Sequence, residues 1–404
     1  MYNKNWKFRL LLCMSIWVMS CGRAQVNTEQ SEKHTLMPGV AAERTDLYLA
    51  LLQNKRVGVI ANQTSVIGKT HLVDSLLALG VNIVKVFGPE HGFRGNHADG
   101  AHIKSEVDSK TSLPVISLYG QNKKPTSEQL KDIDILLFDI QDVGCRFYTY
   151  ISTMSYAMEA AAEKGIPFLV LDRPNPNGFY VDGPVLEKGF ESFVGLHPVP
   201  IVHGMTVGEY AQMVNGEGWL KNGIKCSLIV IPCQAYTHKS LYRLPIAPSP
   251  NLPGMESIYL YPTLCLFEGT DVSIGRGTDR PFELMGAPWW KAGNYSFTPK
   301  SIPGVSDNPK FKNTTCYGYN LHDFAEVVRG LRTLYIFWVI DAYQNAPDKS
   351  TFFTSYFNKL AGTAKLKEQI IAGKSEEEIK ASWKPGLDQF KKIRKKYLLY
   401  PDFE

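Results

Sequence analysis

A glutamate, a histidine and an arginine fall within five positions of one short stretch, Val-Lys-Val-Phe-Gly-Pro-Glu-His-Gly-Phe-Arg-Gly at residues 84–95. Glu90, His91 and Arg94 together offer proton transfer, hydrogen bonding and a grip on an anion. The spacing predicts an apolar strand that stops at Gly88-Pro89 and delivers all three onto a glycine-flanked loop, where binding and catalytic groups concentrate. Phe87 and Phe93 on either side would partly desolvate Glu90. Burial disfavours the charged carboxylate and keeps its proton on. A glycosidase needs such an acid to protonate the leaving oxygen, and a second group to stabilise or attack the anomeric carbon. The competing reading is an exposed Glu90 that only pairs with His91 or Arg94.

A second polar cluster holds Asp139, Gln141, Asp142, Arg146 and Tyr148. Asp139 or Asp142 could be the partner carboxylate, and either could instead cap the helix expected to start near Tyr148. Arg94, Arg146, Arg173 and Arg276 are candidates to hold an anionic substrate group, because guanidinium pairs bidentately with carboxylate. His91, His102 and His203 are not spaced as a metal set, so no metal is expected. Trp289-Trp290 is the aromatic pair best suited to a sugar ring.

These groups need a frame. Short apolar runs at 56–62, 82–87, 115–118, 135–139, 168–171 and 227–231 read as buried strands. Helical patterns follow at 71–79, at 148–164 closed by Gly165, and from the Thr206–Glu209 capping box to about 214. A further box at Thr126–Gln129 predicts a short helix. Alternation of this kind predicts an α/β fold with a parallel sheet, whose ligands bind beyond the carboxyl ends of the strands. Asn62 and Gln63, Glu90 and His91, Asp139 with Gln141 and Asp142, then Asp172 and Arg173 all fall at such ends and should converge on one rim. Prolines 245, 248, 250 and 253 mark a stiff passage near residue 250. We expect a Rossmann-like catalytic domain over 37–250 and a smaller C-terminal α/β domain over 251–404. The latter should hold one apolar helix at 331–343 and amphipathic helices at 365–372, 376–383 and 389–397.

Several functions are excluded. No Gly-x-Gly-x-x-Gly follows the first strand and no phosphate-binding loop is present, so nucleotide cofactors are not expected. No Gly-x-Ser-x-Gly elbow supports a hydrolase with a serine nucleophile. The net charge of +5 is dispersed, without a basic run that would track nucleic acid. Seven cysteines at wide spacing form neither a disulfide framework nor a zinc site, although Cys226 and Cys233 flank one strand. At the N-terminus, Lys4, Lys7 and Arg9 precede an apolar run at 10–20 too short to span a bilayer, as in a secretory signal. It ends Val-Met-Ser-Cys, which resembles a lipobox, so residues 1–21 read as a lipoprotein signal with the lipid on Cys21. Residues 22–36 read as a tether. Membrane contact is expected through this anchor alone, on a periplasmic or outer-membrane lipoprotein of a Gram-negative bacterium.

Five segments taken together are more specific than any one. They are 87–95, 139–150 (Asp-Ile-Gln-Asp-Val-Gly-Cys-Arg-Phe-Tyr-Thr-Tyr), 171–178 (Leu-Asp-Arg-Pro-Asn-Pro-Asn-Gly), His203-Gly-Met-Thr206, and Phe267-Glu-Gly-Thr270 with Gly275-Arg-Gly-Thr278. The combination closely resembles the bacterial exo-β-N-acetylmuramidases, the NamZ-type glycoside hydrolases. The resemblance runs from about residue 40 to the C-terminus. It implies a cleft between two domains, no cofactor, and release of N-acetylmuramic acid from the non-reducing end of peptidoglycan fragments. It places the catalytic glutamate at Glu90, and the second group stays with Asp139 or Asp142 from the residues themselves. Asn62, His91, Arg94, Gln141, Arg146, Tyr148, Arg173, His203, Glu268 and Arg276 are the expected binding residues. The lactyl carboxylate of N-acetylmuramic acid would give an arginine its partner, and the 2-acetamido group could itself act as nucleophile. A non-catalytic lipoprotein binding cell-wall fragments would use the same cleft.

Overall fold

The central strands form where the sequence is apolar on both faces. The computed structural model describes residues 37–94 and 106–404. Strands β1 (Val57–Ala61), β2 (Ile83–Gly88), β3 (Glu106–Val107), β4 (Pro114–Ser117), β5 (Ile135–Asp139), β6 (Phe168–Leu171) and β7 (Leu228–Ile231) make one sheet of order β3-β4-β2-β1-β5-β6-β7. Every pairing is parallel except β3 with β4. Every residue of β1, β5 and β6 is buried, as befits a parallel sheet covered on both sides. In register, Ile60 lies between Phe87 and Phe138, so the carboxyl ends of the central strands align.

The helices follow their sequence signals closely. α1 (Leu72–Ala78) is capped by the ring of His71, and α2 (Tyr150–Lys164) ends at Gly165 in the left-handed conformation. α3 (Val207–Gly216) begins with the Thr206–Glu209 capping box, both halves formed. The Thr126–Gln129 box also forms, with bonds of 2.9 and 3.2 Å. No helix follows it. The chain turns toward β5 within a few residues, and Asp132 and Asp134 are drawn to Arg56.

After the proline-rich passage, α4 (Met255–Leu264) packs its buried side chains into the same apolar cluster as α2. Residues 37–404 are thereby a single compact unit. A small antiparallel sheet, β8 (Leu284–Ala287), β10 (Cys316–Asn320) and β9 (Tyr295–Phe297), was not anticipated. The helix expected at 331–343 is instead two, Ala325–Leu331 and Phe337–Asn345. Arg332 between them is left-handed at φ +52°, and Asp182 captures the Leu334 amide at 2.8 Å.

Further helices follow at Lys349–Phe352, α5 (Tyr356–Ala361), Lys365–Ile371, where one was expected, and α6 (Glu376–Arg394). The sequence suggests that α6 breaks near Pro385, yet it is continuous. A proline inside a helix costs about 3 kcal/mol. Ile379, Trp383, Leu387 and Phe390 recur on one buried face of α6 and contribute roughly 2 kcal/mol each, which decides the matter.

Candidate active site

Glu90 is placed by a tight turn. β2 ends at Gly88, and the Gly92 amide donates to the Pro89 carbonyl at 2.9 Å, closing a turn with Glu90 and His91 at its centre. His91 sits there at φ +68°, a conformation that non-glycine residues adopt at some cost and that concentrates at functional sites. Gly88 is needed for closure, because a Cβ there would lie 2.9 Å from the Phe93 nitrogen.

The turn opens into a cleft of about 470 Å³, lined among others by Glu90, His91 and Tyr148 from the sheet side. The hydroxyl of Thr149 donates to Glu90 Oε2 at 3.2 Å. Thr149 is the N-cap of α2, yet its side chain makes no capping bond. The carboxyl therefore lies at the positive end of a helix, and the hydroxyl that would have closed that end is turned on it. Tyr148, Tyr150, Tyr261 and Phe282 form an interlocked wall, with edge-to-face ring distances of 4.9, 5.7 and 4.9 Å. Their hydroxyls and ring faces suit a sugar, which presents both C–H and O–H surface.

The facing wall comes from far along the chain. Glu268 and Arg276 form an ion pair at 2.7 Å, and Tyr356 and Lys359 reach in from α5. Burial pushes the Tyr356 hydroxyl above its ordinary range, and the neighbouring Cys265, Glu268 and Glu90 push it further the same way. That phenol stays neutral and keeps a proton to donate, within reach of the charge of both glutamates.

The other expected site residues lie outside the cleft lining, each for a physical reason. Asp139 is fully buried, and Arg173 takes both its oxygens at 2.6 and 2.8 Å, so neither residue is available to substrate. Arg94 is held by Asp108 at 2.8 and 2.9 Å and by Asp74 at 3.2 Å. Arg146 is buried and gives its hydrogen bonds to the carbonyls of Pro184, Val199, Leu360 and Ala361. Burial pulls its pKa down to about 9. Gln141 bridges the carbonyls of Asp142 and Pro174, and Asn62 accepts from Thr64. His203 is buried, accepts from the Met205 amide, and is depressed by burial to about 3, so it is neutral.

Asp142 is different. Its Oδ1 accepts from the Gly144 amide at 2.7 Å, whereas its Oδ2 meets no partner among the described residues. Burial raises its pKa to about 7, opposed by the Gly144 and Val143 amides. It lies behind the cleft, close enough for its charge to act on both Tyr148 and Tyr150.

Trp289 and Trp290 stack at 5.6 Å but do not line the cleft; Trp290 is core, and Trp289 donates to Asp271. Cys145, Cys226, Cys233, Cys265 and Cys316 are free and buried, so Cys226 and Cys233 are unpaired. Glu256, Glu283 and His322 bring ligand-type atoms within 4.8 Å of one another, but none of them lines the cleft. Cys21, His102, the expected signal 1–21 and the tether 22–36 lie outside the described residues. No helix among the described residues is long and apolar enough to cross a membrane.

Thr149, Tyr261, Tyr356 and Lys359 are cleft residues that the sequence reading passed over. Thr149 had a signal, a threonine directly before a helix. Tyr356 and Lys359 had none, because a six-residue helix reveals no partner.

With this geometry in place, likeness to known proteins is decisive. The chain is 45% identical over 378 residues to the peptidoglycan beta-N-acetylmuramidase NamZ of Bacillus subtilis (strain 168), covering 87% of this chain and 89% of that one. This chain belongs to the NamZ exo-β-N-acetylmuramidase family. The NamZ N-terminal family model matches residues 57–256, and the NamZ C-terminal model matches residues 259–400. Two solved structures of DUF1343 family proteins from Bacteroides fragilis NCTC 9343 share the fold. One is 49% identical with a TM-score of 0.84, the other 32% identical with 0.73, and each covers 90% of this chain and 99% of its own. The junction of the two NamZ models, between residues 256 and 259, falls in the first turn of α4, a few residues after the proline-rich passage.

Proposed function

We propose that this protein removes a terminal N-acetylmuramic acid from peptidoglycan fragments, with Glu90 as the general acid. Family membership supports the reaction class. The observation that carries the residue assignment is the position of Glu90 on a constrained turn, facing a cleft walled by tyrosines. The described residues supply two carboxylates to that cleft, Glu90 and Glu268. Asp139 is occupied by Arg173, so Glu268 replaces it in our reading as the second acidic group. Its ion pair with Arg276 fixes it on the cleft wall, where it can hold a 2-acetamido group or a water in place. Arg276, beside Glu268, and Lys359 bring positive charge to the cleft wall that a lactyl carboxylate on the sugar would meet.

Replacing Glu90 by glutamine tests this. General acid–base assistance contributes roughly 10²–10⁴-fold. Turnover of an aryl muramoside should fall within that range while the thermal transition stays unchanged. A near-wild-type rate would remove Glu90 from the mechanism.

The N-terminal reading is also a proposal. A lipid on Cys21 would hold the enzyme at a periplasmic or outer-membrane surface, supported by the basic and apolar leader that precedes it. Cys21→Ala should move the protein from the membrane to the soluble fraction, and an unchanged distribution would argue against the anchor.

A further inference from the structure

The proline-rich passage does more than lead from one half of the chain to the other, because it builds part of the cleft wall. Ser249, Asn251 and Leu252 line the cleft together with Tyr148 and Tyr150. We propose that Asn251 accepts the N–H of the substrate's 2-acetamido group, and so selects a sugar with an acylated nitrogen over one with oxygen at that position. The inference rests on the muramidase reading, and it leaves Glu268 to hold the water.

Three observations carry it. The first is how firmly the passage is held. The Leu252 amide donates to the Ser249 carbonyl at 3.0 Å, closing a turn with Pro250 and Asn251 at its centre. Proline presets φ for the second position of such a turn, and asparagine is among the residues that favour turns. Gln63 Nε2 donates to the carbonyls of Ala247 and Pro248 at 3.2 and 3.1 Å, and the Tyr150 hydroxyl reaches the Pro248 carbonyl at 3.2 Å. A wall pinned in this way has its side chains in place before a ligand arrives, which lowers the cost of binding.

The second is an acceptor that nothing uses. Asn251 is only 3% exposed. Its Nδ2 donates to the Val305 carbonyl at 3.1 Å, which fixes the orientation of the amide. Its Oδ1 is buried and meets no partner among the described residues. A buried acceptor without a donor is costly, and folded proteins keep few of them. Asn251 lines the cleft whereas Val305 does not, so the bonded end of the amide is turned away and Oδ1 lies just beneath the cleft surface. The Cβ–Cγ torsion of asparagine is soft, so a small rotation brings this oxygen to a ligand with Val305 still in reach.

The third is the chemical match. An asparagine oxygen accepts and cannot donate, whereas a hydroxyl can do either. The acetamido N–H donates and cannot accept. A sugar with an ester oxygen at the same position would set acceptor against acceptor, and a site built around one hydrogen bond rejects an analogue that cannot make it.

Calorimetry tests this with the methyl β-thioglycoside of N-acetylmuramic acid and its 2-O-acetyl counterpart, in which oxygen replaces only the N–H. Wild type should bind the amide about tenfold or more tightly than the ester. Asn251→Leu should bind the two within about twofold of each other. Asn251→Asp keeps an acceptor and should retain the preference. Asn251→Ala takes the place of the leucine variant if that one does not fold, and melting temperatures check each protein. An oxygen merely orphaned in the core would leave the preference of Asn251→Leu unaltered. That result, or no preference in wild type, would overturn the assignment. If wild type neither cleaves an aryl muramoside nor binds either thioglycoside, the muramidase reading itself has failed. The same amide and ester pair built on N-acetylglucosamine then decides Asn251 separately. A preference that Asn251→Leu erases supports it, and an absent or unaltered preference refutes it.

Discussion

Arg146 Nη2 donates to the carbonyl oxygen of Ala361 at 2.7 Å, joining the loop after β5 to the last residue of α5. The same nitrogen reaches Leu360 O at 2.9 Å. A helix C-terminus presents unsatisfied carbonyls and a partial negative charge, and a guanidinium satisfies both. Arg146 therefore fixes the short helix that carries Tyr356 and Lys359 into the cleft. The fit is close: Gly362 follows at φ +74°, and a Cβ on it would lie 2.6 Å from Arg146 Nη2.

Removing this clamp should damage stability and binding together. Arg146→Met leaves buried carbonyls without donors, each costing roughly 1–3 kcal/mol. The thermal midpoint should drop by several degrees, and KM for a muramoside should rise more than kcat falls. Gly362→Ala should reproduce the KM effect more weakly. A variant with normal stability and normal KM would show that α5 holds its place without the arginine.

Thr149 is a positioning residue for Glu90. Thr149→Val removes the hydroxyl that contacts the carboxyl and should lower kcat by about tenfold, the worth of one charge-assisted hydrogen bond, with KM little changed. Thr149→Ser should restore the rate. A purely structural threonine would show no such rescue, and both variants would then differ from wild type only in melting temperature.

Asp142 predicts a pH effect on stability rather than on chemistry. Its pKa stands near 7 in the folded protein against an ordinary 3.8. The folded state thus binds more protons than the unfolded state between these values, so stability falls as pH rises from about 4 to about 7. Asp172, raised by burial to about 6, acts in the same direction and remains in the variant. Asp142→Asn mimics the protonated form. It should flatten the decline of unfolding free energy by up to about 1.4 kcal/mol per pH unit in that window while retaining most activity. A loss of activity as large as that of Glu90→Gln would return Asp142 to the list of catalytic groups.

The two cations of the cleft should contribute unequally. Lys359 is exposed, and pairs made by exposed charges are worth about 0–1 kcal/mol, less in salt. Lys359→Ala should therefore raise KM no more than about fivefold, with the effect fading at high ionic strength. Arg276 is three-quarters buried and already oriented by Glu268, so Arg276→Ala should cost more and persist in salt. Equal effects from the two variants would refute this ranking.

The sheet and the turn that bears Glu90 were legible in the sequence, because both depend on local rules. Apolar runs such as Ile135–Asp139 can satisfy themselves only inside a parallel sheet, and Gly-Pro followed by Glu-His-Gly can hardly be other than a strand exit. The charged residues were not legible in the same way. Asp139, Arg173, Arg94 and Arg146 belong to the types that bind sugars and anions, and their sequence positions look no different from that of Arg276. What separates them is who else arrives. Asp139 meets Arg173 from 34 positions away, and Arg146 meets Ala361 from 215 away. Those partners hold Asp139, Arg173, Arg94 and Arg146 away from the cleft, whereas Arg276 makes its ion pair with Glu268 on the cleft wall itself. That competition is settled by tertiary packing, which alone brought Glu268, Arg276, Tyr356 and Lys359 to face the glutamate the sequence had already singled out.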